Sequence, residues 1–215
     1  MNENLFEAQY DVTKKSKLKK FYETNKILIF SAILILIIVI ASVSFYSETK
    51  EKKKILLSDN YLTAKVYLEN GDKNKAKSVL KTVIFANDST YSTLSFFLIL
   101  NENLIVDQEE LSNLFNHVLE NNKFEKEIKN LIIFKKALFQ SSFISELELL
   151  EAVKPLINTE TIWKPHALLL LGDYFVYKQE LLKAKEFYAR ILSMKNLHKE
   201  LYEQARSRLV LIAND

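Results

Sequence analysis

The chain has three histidines, His117, His166 and His198, the side chains best suited to moving protons or binding metal near neutral pH. His117 and Glu120 stand about one helical turn apart, which places an imidazole and a carboxylate on one face. A metal site needs more donors than these two, the histidines fall on different predicted helices, and no cysteine supplies a thiolate. The spacing therefore predicts a solvated or capping histidine. Gly71 and Gly172 are the only glycines, too few for a phosphate-cradling loop. No serine sits in a strained nucleophile turn with histidine and aspartate partners beside it. The expectation is no catalytic residue, no cofactor, no metal and no small-molecule substrate, which leaves binding of other proteins as the activity.

The elements that would carry a binding surface are helices. With 2 Gly and 2 Pro in 215 residues the chain lacks the turn chemistry of a many-stranded protein, and 48% hydrophobic residues are ample for a core. Part of that hydrophobic share lies in one uncharged block, "ILIFSAILILIIVIASVSFY", Ile27 to Tyr46. It is long enough to cross the roughly 30 Å hydrocarbon core of a bilayer. It exceeds the apolar region of a cleaved signal, about 7–15 residues, although Ser42 and Ser44 imitate a cleavage site. The block lacks glycine, so a close-packed helix pair of the glycine type is not indicated.

The expected division is a tail over 1–26, a transmembrane helix over 27–46 and a helical domain over 47–215. Lys14, Lys15, Lys17, Lys19, Lys20 and Lys26 precede the span, against Lys50, Lys52, Lys53 and Lys54 after it. That bias favours a cytoplasmic tail and a domain across the membrane. Residues 47–215 are nearly neutral, with arginine only at Arg190, Arg206 and Arg208, so the electrostatic footprint of a nucleic-acid binder is missing.

Apolar periodicity beyond the span predicts helices over 50–70, 72–87, 89–102, 107–121, 124–141, 145–157, 163–178, 180–194 and 197–212, the first continuing from the membrane helix. Asp72 after Gly71, Asp107 before Glu110 and Ser145 before Glu148 read as helix starts. Pro165 suits a first turn, and Pro155 is expected to end or kink its helix. Short connections make successive helices antiparallel hairpins. "STLSFFLIL", 92–100, is apolar nearly all round, which predicts a helix buried on two sides rather than a groove lined by Phe96 or Phe97.

One ladder occurs twice. Ala64, Tyr67, Ala76 and Leu80 have the spacing of Gly172, Phe175, Ala184 and Tyr188, 108 residues further on. The second copy, with Leu171 before the glycine and Leu168 at a common tryptophan position, resembles the tetratricopeptide repeat. Helices of one hairpin cross closely where small residues face each other, so Gly172 is expected to lie against Ala184, with the aromatic filling the gap toward the next hairpin. Two irregular hairpins, near 89–121 and 124–157, must occupy the interval, with Leu111 and Phe115 as degenerate slots. The last helix has one apolar and one charged face, as a cap requires. The fold expected is all-α: a transmembrane helix, then a tetratricopeptide-like solenoid of helical hairpins with a C-terminal capping helix. The repeat resemblance implies a concave lining of Tyr61, Lys65, His166, Leu169, Asp173 and Tyr177, a mixture suited to an extended peptide.

The order of parts resembles a family. A short acidic start, "LKKFYETNKILIFSAIL" running into one span, and a close on "LLGDYFVYKQELLKAKEFY" are similar to the ancillary subunit of the bacterial SecYEG translocon. Phe21–Tyr22, Asn25–Lys26 and Trp163 carry the likeness most specifically. The resemblance implies a single-pass inner-membrane protein with a cytoplasmic N-terminus and a periplasmic repeat domain. The implied partners are Sec translocon subunits, a membrane-anchored periplasmic chaperone and emerging secretory chains. The alternative is a membrane-tethered scaffold for cell-envelope or division machinery.

Overall fold

The computed structural model describes residues 17–213, and the described residues form α-helices without strands. Lys14 and Lys15, and with them most of the expected tail, lie outside the described residues. The first helix, α1 (Lys17–Glu69), is continuous from the apolar block into the helix expected over 50–70. From Ile27 to Tyr46 its large apolar side chains are exposed, Ile29 excepted, and the stretch is long and apolar enough to cross a membrane. Within it the Ser31 hydroxyl donates to the Ile27 carbonyl at 2.8 Å. Internal satisfaction of this kind is what a hydrocarbon surrounding demands. By contacts the chain divides into two units, 1–56 and 57–215.

Unit 57–215 is built from the end of α1 followed by α2 (Lys73–Phe85), α3 (Tyr91–Asn101), α4 (Gln108–Asn121), α5 (Lys126–Gln140), α6 (Glu146–Ile157), α7 (Lys164–Tyr177), α8 (Leu181–Leu192) and α9 (Lys199–Ala213). From α2 onward each helix packs against the next in sequence, with added contacts of α5 with α7 and of α7 with α9. Such near-neighbour packing defines a row of stacked hairpins. Two clusters form the core. One runs from Ala64 through Leu80, Phe96 and Phe115 to Ile132, and the other from Ala137 through Leu171, Phe175 and Tyr188 to Ile212. α5 supplies residues to both.

Two of the three expected helix starts carry a side-chain cap, whereas Asp72, at the start of α2, makes no capping bond and pairs with Lys75 at 2.6 Å. Asp107 Oδ1 accepts from the Glu110 amide at 2.6 Å, and Ser145 with Glu148 forms a reciprocal capping box. Gly71, at φ 78°, closes α1 through bonds from its own amide to Leu68 and from the Asp72 amide to Tyr67. Gln179 repeats that geometry 108 residues later at φ 62°, with bonds to Val176 and, from Glu180, to Phe175. The repeat thus extends from the side-chain ladder into the turn. Pro155 does not end its helix: α6 continues to Ile157, because a proline this near the end removes one amide bond that the final turn can forgo. Phe96 is fully buried and Phe97 packs on the first cluster, so α3 is a core helix as its composition predicts.

Candidate functional site

Gly172 lies on α7 with the ring of Tyr188 from α8 directly against it. A Cβ at this position would stand 2.3 Å from Tyr188 Cε1, 2.7 Å from Cδ1 and 2.8 Å from Cζ, where carbon atoms pack at about 3.5–4.0 Å. The neighbour that excludes a side chain is therefore Tyr188 and not Ala184, which corrects the expectation from spacing. Ala184 is fully buried, one helical turn before the tyrosine. The Tyr188 ring lies against the glycine of its own hairpin.

The Tyr188 hydroxyl then donates to Asp173 Oδ1 at 2.7 Å, and Arg208 Nε from α9 meets the same oxygen at 2.7 Å. Burial pushes the Tyr188 hydroxyl well above its ordinary pKa, and its bond to Asp173 adds to the shift. The Asp173 carboxylate thus joins α7, α8 and α9. In the first copy Ala64 takes the place of Gly172 and Leu80 that of Tyr188, and all four residues are buried. Gly with Tyr and Ala with Leu are two solutions of one volume condition. Tyr67 is half-buried where Phe175 is buried and stacked on Phe187 at 5.5 Å.

The six expected lining residues fall in three places. His166 and Leu169 line an open recess of about 750 Å³ between the start of α7, the α8–α9 connection and α9, with Ile162, Met194, Leu197 and Leu201. Asp173 and Tyr177 line a smaller recess of about 330 Å³ with Ser141, Ser142, Leu170 and Tyr174. Tyr61 is half-buried against the first cluster, and Lys65 is exposed on α1; neither lines these recesses. Asp173 is an internal acceptor for Tyr188 and Arg208 as well as a wall residue. The repeat resemblance implied one concave lining for all six, but two intervening hairpins stand between the copies.

The larger recess has a fixed wall that the sequence did not disclose. Thr161, before α7, donates its hydroxyl to Glu127 Oε2 at 2.6 Å and accepts from Asn130 Nδ2 at 3.0 Å. Trp163 Nε1 donates to the Glu127 carbonyl at 3.0 Å while its ring stacks on Phe134 at 5.9 Å. His166 packs edge-on to Phe134 and beside Trp163, and its Nδ1 stands 3.2 Å from the Ile162 carbonyl. A carbonyl can only accept, so in this bond Nδ1 carries the proton. Trp163 and His166 were marked by the sequence; Glu127, Asn130 and Thr161 carry no spacing signal. His117 is held by Asn87 Oδ1 at 2.8 Å and packs edge-on to Phe85, which ties α4 to the positive-φ turn after α2.

Fold and site define an all-helical protein of stacked hairpins preceded by one long apolar helix, with open recesses between hairpins. Comparisons with protein-family models, curated proteins and solved structures find no match to the chain.

Proposed function

We propose that the chain is a membrane-anchored helical-repeat module whose activity is binding other proteins. The observation that carries this reading is the open recess of about 750 Å³ between α7 and α9, whose wall mixes apolar residues such as Ile162, Leu169, Leu197 and Leu201 with polar ones such as Glu127, His166 and Gln204. Its size falls within the roughly 300–1,000 Å³ of ligand-binding clefts, and a wall that mixes apolar and polar groups suits a protein segment. The apolar stretch of α1 supports the anchor, and tethering raises local concentration enough for weak contacts to capture a passing chain.

Within that class the resemblance of the chain from about Leu18 onward supports an ancillary Sec translocon subunit. On this reading the N-terminus is cytoplasmic and the repeat domain periplasmic, handing secreted chains to a membrane-anchored chaperone. The test is a mild-detergent pull-down of the intact chain beside a version whose residues 27–46 are replaced by an unrelated span. Translocon subunits and a periplasmic chaperone recovered with both versions support the reading. Recovery of envelope-assembly proteins instead, with neither of these partners, replaces it with the scaffold.

A further inference from the structure

Just beyond its apolar stretch α1 carries Lys50, Lys52, Lys53 and Lys54, all exposed, on two different faces. Tyr46, Lys50 and Lys54 follow one another at i, i+4 and i+8, a single stripe of the helix, with Lys53 beside it. Glu48 lies on the opposite face, where it pairs with Lys52 at 2.7 Å, and Glu51 stands between the two faces. Among the described residues neither Lys50 nor Lys54 has an acidic partner. Like charges at i, i+4 repel, and an anion between them relieves the repulsion. Direction sets these two lysines apart from those before the span. Side chains on a helix lean toward its N-terminus, so Lys50 and Lys54 lean back toward the apolar stretch, whereas Lys20 and Lys26 lean away from it. Along the axis Lys50 stands about 6 Å beyond Tyr46 and Lys54 about 12 Å. A headgroup layer is about 5–8 Å deep on each side of a bilayer, so a long side chain leaning back from either position sets its ammonium within that layer. Tyr46, 69% exposed, stands at the boundary itself, where an amphipathic ring is favoured.

We propose, resting on the membrane-anchor reading above, that Tyr46, Lys50 and Lys54 hold the headgroup of an anionic phospholipid, its phosphate on the two ammonium groups and the phenol hydroxyl beside it. Charge complementarity selects an anion, because the stripe gathers positive charge on the face away from the Glu48 and Lys52 pair. Position selects a lipid over a free anion, because the stripe begins at the last residue of the apolar stretch, where acyl chains can lie along α1.

The test uses the full chain in nanodiscs of equimolar phosphatidylglycerol and phosphatidylcholine, which differ in net charge. Lipids that stay bound on transfer to a mild detergent are counted by native mass spectrometry. Phosphatidylglycerol should exceed phosphatidylcholine roughly twentyfold. Lys50→Gln and Lys54→Gln should each lower that ratio roughly fivefold, the return of one lysine at an anionic surface. Lys52→Gln, the same change of charge on the opposite face, should leave it unchanged. Equal retention of the two lipids overturns the proposal, as does a loss with Lys52→Gln as large as that with Lys50→Gln. So does a preference abolished by inorganic phosphate but not by sodium chloride of the same ionic strength, which would make the occupant a free anion. A chain that leaves the discs overturns the anchor and with it this proposal, whereas an inserted chain without the preference overturns the proposal alone.

Discussion

Gly172→Ala, made both in the natural chain and in one carrying Tyr188→Leu, separates steric exclusion by the ring from ordinary helix propensity. In the natural background the new Cβ meets three ring carbons at 2.3–2.8 Å, about 1 Å inside normal contact. The ring cannot swing clear, because it is 1% exposed and its hydroxyl is bound to Asp173. Overpacking of this kind costs about 1–3 kcal/mol, and alanine returns about 1 kcal/mol of helix propensity. A strained or lost hydroxyl bond adds about 0.5–1.5 kcal/mol, so the net loss should be about 1–2 kcal/mol. Tyr188→Leu alone should cost about 2–3 kcal/mol by leaving a void over the glycine. In that background Gly172→Ala should stabilise by about 1 kcal/mol, since it recreates the Ala64 and Leu80 pairing and fills the void. The sign reversal corresponds to a coupling of about 2–3 kcal/mol between the two positions. Urea unfolding of the full chain in a non-denaturing detergent, followed by the fluorescence of Trp163, the single tryptophan, reads this directly. The same sign and size in both backgrounds would refute the claim that Tyr188 is what forbids a side chain.

Tyr188→Phe keeps the ring over Gly172 but removes the donor to Asp173, and should lower stability by about 0.5–1.5 kcal/mol in the same unfolding assay. Ser145→Ala removes the cap of α6 and should cost about 1 kcal/mol, seen as a lower urea midpoint with an unchanged slope. Glu148 is held below the ordinary carboxylate range by the Ser145 hydroxyl and amide. It binds fewer protons folded than unfolded, so its stabilisation is complete above the ordinary value of 4.5 and is lost as pH falls below it. Glu148→Gln should therefore flatten the acid limb of a stability–pH curve and leave the slope above neutrality alone. Ile37→Lys places a charge at the centre of the apolar stretch and should cost about 2.5–3.5 kcal/mol of insertion, measured as loss of carbonate-resistant membrane protein.

Helix positions were legible because their ends are written in side chains. Ser145 and Glu148, Asp107 and Gly71 each fix a boundary by a bond that the structure contains. Gln179 was not legible alone, since glutamine has no preference for positive φ; only its register with Gly71 marks it. The ladder identified Gly172 as a close approach but gave the wrong neighbour, because residue spacing reports which face is shared and not where a side chain lies on it. The recess wall at Glu127, Asn130 and Thr161 depends on a loop between α6 and α7 meeting α5, contacts with no local pattern.

The two hydrophobic clusters share one helix, α5, with Ile132 in the first and Ala137 in the second. Stability in such a row is close to a sum of adjacent interfaces, so melting of one half need not bring down the other. α5 then acts as the coupler that decides whether the unit 57–215 loses structure in one step or two. Hydrogen exchange should find the slowest amides along α5, while a cavity made at Ile132 should split a single unfolding transition into two and leave the α7–α9 half folded. Cooperativity in this protein is thus a property of a single helix rather than of the whole core.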